Sequence, residues 1–118
     1  MKYLCLVFVD EKKLNALSKT ESDALTAESL DYDELLRKQG HFLAAQALQP
    51  VHTATTIRVQ TGKAFVTDGP FVETNEQLGG FILIEDKGLD EALQVASKIK
   101  VIRMGGVEVR PIQELFRP

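Results

Sequence analysis

Acid/base chemistry needs titratable side chains, and the densest set in this chain lies around Asp68-Gly69-Pro70-Phe71, followed by Glu73 and Glu76. Neighbouring carboxylates whose environments differ can divide the roles of acid and base. Histidine titrates near neutrality and is the usual proton carrier. His41 stands directly after Gly40, and His52 follows Pro50. The expected catalytic set is therefore His41, Asp68 and Glu73. Arg58, Phe71, Glu76 and Phe81 are the expected ligand contacts, with Arg58 able to clamp an anion through two parallel hydrogen bonds. Each residue also has a structural reading. Asp68 can close an Asx turn ahead of Gly69-Pro70. Thr74-Asn75-Glu76-Gln77 fits a capping box around one helical turn. His41 can cap a helix C-terminus, and Arg58 can pair with Glu73 or Asp68. The two histidines lack the spacing of a metal motif, so no metal is expected. Gly79-Gly80 leads into a strand with no P-loop lysine, and no cofactor is expected.

The elements that would position these groups read as follows. Residues 2–9 form a strand rich in β-formers. Residues 10–19 form a loop with a short helical turn around Leu14 to Leu17. Thr20-Glu21-Ser22-Asp23 carries helix-start chemistry. The helix runs to about Gln39, with Leu25, Tyr32, Leu35 and Leu36 on one face, and Gly40 stops it. Residues 41–48 make a second strand, weakened by its alanines and ended by Pro50. Residues 53–60 and 63–67 pair as a hairpin across Thr61-Gly62. Residues 79–85 form an apolar strand. Asp86 to Asp90 opens a second helix with the stripe Leu89, Ala92, Leu93, Ala96, Ile99. Residues 107–112 form the last strand. With the hairpin as an insertion, the order is a split βαβ pattern of the α+β class, the ferredoxin-like antiparallel sheet.

A chain of 118 residues fits one domain, residues 1–118. Its net charge of -3 offers no basic face for nucleic acid. The apolar N-terminal run is too short to span a bilayer and lacks a cleavage site, so no membrane role and a cytoplasmic location are expected. Cys5 is the single cysteine and sits in that run, which points to a reduced, buried thiol.

Strand one is apolar on both sides: Tyr3, Cys5, Val7 and Val9 alternate with Leu4, Leu6 and Phe8. Two helices cover one face of a sheet. The other face needs a cover, because large exposed apolar patches are rare on monomers. A homodimer with sheets face to face is the expected solution. The alternative is that the hairpin or the tail after Gln113 folds over that face.

Asp68-Gly69-Pro70-Phe71, with Glu73, Glu76-Gln77-Leu78-Gly79-Gly80-Phe81 and Val107-Glu108-Val109-Arg110-Pro111, resembles the DGPF-type branch of the YCII-related domain family. The resemblance spans nearly the whole chain. It implies a ferredoxin-like dimer forming an α/β barrel. It leaves the activity open: many members are encoded near extracytoplasmic-function sigma factors. More distant YCII proteins carry a His on the first helix and an Asp near the second, proposed as a catalytic pair. This chain has no histidine on helix one, so that pair is not carried over. Two functional readings stand. One is a small-molecule-binding domain, or a cofactor-free acid/base enzyme, with its pocket at the dimer cleft near residues 67–80. The other is a non-catalytic dimeric module in sigma-factor-type transcription control.

Overall fold

The computed structural model describes all of residues 1–118. Its strands are β1 (Lys2–Val9), β2 (Phe42–Ala47), β3 (Thr55–Gln60), β4 (Lys63–Asp68), β5 (Gln77–Glu85) and β6 (Gly105–Pro111). Its helices are α1 (Glu11–Asn15), α2 (Lys19–Lys38) and α3 (Leu89–Ser97), with 3-10 turns over Val51–Thr53 and Lys100–Met104. Four strands form one sheet in the order β2-β5-β1-β6, and β3-β4 form a separate hairpin. All neighbours are antiparallel. Each helical crossover skips one strand, which is the expected split βαβ arrangement with the hairpin inserted.

The alternation in β1 decides where the core lies. Tyr3, Cys5, Val7 and Val9 are buried, while Leu4, Leu6 and Phe8 stay half-exposed on the far face. Ile82 and Ile84 of β5 continue the inner face. Leu25, Tyr32 and Leu36 of α2, with Ala92, Val95 and Ala96 of α3, are buried, all but Leu25 in the cluster packed against that face. The Tyr32 hydroxyl donates to the Val95 carbonyl at 2.6 Å, tying the helices together and satisfying a buried polar atom.

Several local expectations need correction. The 10–19 stretch holds a true helix, α1, capped by Asp10, whose side chain accepts from the Lys12 amide. Helix α2 is capped by Ser18, not Thr20. The Ser18 hydroxyl accepts from the Glu21 amide, and the Glu21 carboxylate accepts from the Ser18 amide. Gly40 does end α2, at φ +82°. Residues 74–77 form no helical turn: Gln77 opens β5, and its amide group donates to the Thr74 carbonyl and accepts from the Glu11 amide. In α3, Leu89 and Leu93 face out and Val95 takes a buried place. Leu35 of α2 is also exposed.

The hairpin stands away from the core. Ile57, Val59 and Val66 are exposed on it, and so are Leu115 and Phe116 in the tail. The chain is a slab of 50 × 48 × 18 Å with a radius of gyration of 16.4 Å. A compact domain of this length would measure about 13–14 Å. The extended arm accounts for the excess.

Candidate functional site

His41 sits where α2 has ended and β2 is about to begin. Its amide donates to the Leu36 carbonyl, closing the helix end across Gly40, and its carbonyl accepts from the Glu85 amide. These two bonds fix its backbone against the last residue of β5. Asp86 follows immediately. The Asp86 amide donates to the Met1 carbonyl, and the Asp86 carbonyl accepts from the Met1 ammonium at 2.7 Å. Glu91 lies in the first turn of α3. Three chain segments thus converge at one end of the sheet.

The side chains meet there. His41 Nδ1 contacts Asp86 Oδ1, and Glu91 Oε1 lies 3.6 Å from the same nitrogen. The Asp86 side chain is fully buried, that of His41 is 19% exposed and that of Glu91 34%. Apart from the His41 contact, neither Asp86 oxygen has a hydrogen-bond partner. Burial pushes the Asp86 carboxyl above its ordinary range, and the Glu91 carboxyl beside it pushes the same way, while His41 opposes both. Burial removes the water that would stabilise the charge. A carboxylate held against Nδ1 fixes the imidazole tautomer and leaves Nε2 as the basic nitrogen. Such a pair can take a proton from a bound molecule and hold the resulting imidazolium.

The other expected site residues lie elsewhere. Asp68 ends β4 in the separate hairpin, opposite Thr55, and is exposed. Gly69 follows at φ +108°, the left-handed conformation glycine adopts cheaply. Glu73 is exposed between the hairpin and β5. Neither Asp68 nor Glu73 shares a hydrogen bond or ion pair with His41. Arg58 lies over the Phe71 ring, 4.1 Å from its centre, a cation–π contact in place of an acid partner. Glu76 has its Oε2 beside Gly105. Phe81 is half-buried in β5 opposite Leu6.

Asp86 was the functional candidate that sequence reasoning passed over, because Asp86-Lys87-Gly88 reads as an ordinary helix start. A His–Asp pair is nonetheless present, with the histidine contributed from just past the helix. A cavity of about 580 Å³ lies at the other end of the sheet, between α2 and β2-β5. It is lined by Val7, Val9, Leu25, Ala47, Gly80 and Ile82 among others, with Asp33 at its side. Burial also raises the Asp33 carboxyl, with Arg37 opposing the shift and Glu34 adding to it, but no histidine lines this cavity. The His41 cluster borders only a shallow depression of about 380 Å³ formed by residues 87–91. Size and chemistry are separated in this fold, and proton transfer requires the groups rather than the volume.

The YCII-related domain model matches residues 1–115. The chain belongs to that family. It is 36% identical to an uncharacterized protein of Rhizobium meliloti (strain 1021), R00369, over all of this chain and 96% of that one. Among solved structures it is similar to 5-chloro-2-hydroxyhydroquinone dehydrochlorinase (TftG) from Burkholderia phenoliruptrix AC1100, in complex with 2,5-dihydroxybenzoquinone. That match has a TM-score of 0.54 and 16% identity, covering 96% of this chain and 94% of the other. At that identity the likeness establishes the fold. No helix is long and apolar enough to cross a membrane.

Proposed function

We propose that this YCII-related domain, of the DGPF-type branch, binds a small organic molecule in the cytoplasm and moves a proton on it through the His41–Asp86 pair. The observation that carries the reading is a buried carboxylate held against Nδ1 of a partly open imidazole. His41 Nε2 is the base, and Asp86 orients the ring and stabilises its cation. Lys87, at the rim of the adjoining depression, can face an anionic oxygen on the ligand. No observation places Asp68 or Glu73 in this step. Their segment is a structural loop joining the arm to β5.

The working form is a homodimer. The face bearing Leu4, Leu6 and Phe8 is half-exposed, and Ile57, Val59 and Val66 of the hairpin and Leu115 and Phe116 of the tail are exposed as well. A second copy laid against it would close the barrel.

The fold neighbour acts on a chlorinated hydroxyhydroquinone, so hydroxylated quinones and hydroquinones are the first compounds to test. Each would be screened for a rise in Tm and for turnover by chromatography. For any compound turned over, His41→Asn and Asp86→Asn should each lower kcat by roughly 100-fold or more, the usual contribution of general acid–base catalysis. Turnover left intact in both variants would overturn the reading.

A further inference from the structure

We propose that His41, Asp86 and Glu91 form a binding site for one first-row divalent cation, held by one imidazole nitrogen and two carboxylates. The inference concerns the same cluster as the proton-transfer reading but does not depend on that role; with the cation on Nδ1 the imidazole proton sits on Nε2, so proton uptake at Nε2 belongs to the cation-free state.

Charge is the first argument. With His41 neutral, the two carboxylates bring two negative charges to one place, and one of them is fully buried. Buried charge is stable only when paired or bound to a metal. The neighbouring bases cannot balance it. Lys87 is exposed, and the Met1 ammonium is engaged by the Asp86 carbonyl and lies 3.8 Å from Glu85. A divalent cation balances the pair of carboxylates in full.

Geometry is the second argument. The candidate ligand atoms all lie within 4.8 Å of one another. Two donors at about 2.1 Å from a tetrahedral cation are about 3.4 Å apart. The 3.6 Å from His41 Nδ1 to Glu91 Oε1 already suits this. The closer His41–Asp86 contact would open as the cation enters between the two groups. The half-exposed Glu91 side chain is free to adjust.

Asp86 Oδ2 is the independent third observation: it is buried and has no hydrogen-bond partner, while Oδ1 is held by His41. A buried carboxylate oxygen without a donor is costly, and ligation removes the cost. Imidazole with carboxylates favours zinc, manganese or iron over calcium, which takes six to eight oxygens. Three protein ligands beside a depression leave a coordination position for water or a ligand atom, the arrangement of catalytic rather than structural sites.

The test is calorimetric titration of the chelator-stripped full chain with zinc chloride and, separately, manganese chloride. One ion per chain with a micromolar or tighter Kd is expected for at least one metal. Glu91→Gln should weaken it at least 10-fold, whereas Asp90→Asn, at an exposed neighbour in the same helical turn, should leave it unchanged. Far-UV circular dichroism and Tm report whether each variant folds. Cobalt should give a visible d–d absorption band that Glu91→Gln abolishes. Binding weaker than millimolar for both metals would overturn the proposal, as would affinity indifferent to Glu91→Gln. The two readings separate at Glu91: its loss should weaken cation binding while sparing a proton transfer that needs only His41 and Asp86.

Discussion

Asp86 illustrates how one residue acquires chemistry from its surroundings. Nothing within a few positions of it predicts a perturbed carboxyl. Its properties come from the strand end that buries it, from the Glu91 carboxyl that adds to the shift, and from His41, which opposes it and reaches it from a distant part of the chain. The charge is also felt in the core. Burial chiefly, and the Asp86 charge secondarily, push the Cys5 thiol up from 9.0 to about 11. Burial, with the charges of Cys5 and Asp86, raises the Tyr32 hydroxyl to about 12. The expected reduced, buried Cys5 is what the fold contains. Between pH 9 and 11 the folded chain keeps a proton on this thiol that the unfolded chain releases, so stability falls as pH rises through that window. The fall amounts to about 1.4 kcal/mol for each pH step crossed there. Urea midpoints at pH 8 and pH 10 should drop less in Cys5→Ala than in the parent. An equal drop would show that the thiol is not the source.

Among the elements, the connection into β6 carries a sharp steric condition. A methyl group on Gly105 would lie 2.0 Å from the Phe8 carbonyl oxygen and 2.8 Å from Glu76 Oε2. The first neighbour is backbone and belongs to the irregular register of β1 at Val7/Phe8. Gly105→Ala should therefore cost roughly 1–3 kcal/mol, the range for overpacking a well-filled site. Gly106→Ala, with open space around it, should cost less than Gly105→Ala in the same denaturation measurement. If Gly105→Ala costs no more than Gly106→Ala, the close approach is wrong. The helix starts show how far spacing alone can be read. Ser18 with Glu21 and Thr20 with Asp23 have the same pattern. The longer Glu21 carboxylate reaches back to the Ser18 amide and completes the capping box there, a pairing of Ser or Thr with Glu or Gln that Thr20 and Asp23 lack.

At the scale of the molecule, the chain is a thin slab with one half-exposed sheet face and a detached arm. A two-stranded hairpin is marginal by itself in water. Ile57, Val59 and Val66 give this one an apolar face with nothing from the same chain against it. A stable pair would bury about 800 Å² per partner. Sedimentation at micromolar concentration should show two chains together, and Leu6→Arg on the far face should separate them. A parent that sediments as a single chain would remove the second copy from the proposal. The His41 cluster would keep its geometry, since its three ligands come from one chain.

Local chemistry in the sequence determined the strands, the helix stop at Gly40, the hairpin turn at Thr61-Gly62 and the two-sided apolar character of β1. Those features depend on residues a few positions apart. The meeting of His41 with Asp86 was decided only by the tertiary structure. It requires β2 to lie beside β5, so that one strand's beginning reaches the other's end. Periodicity assigns a side chain to a face, but the order of strands in the sheet decides which loop ends become neighbours. For the same reason Asp68 and Glu73, prominent in sequence, remained on an exposed segment away from that junction.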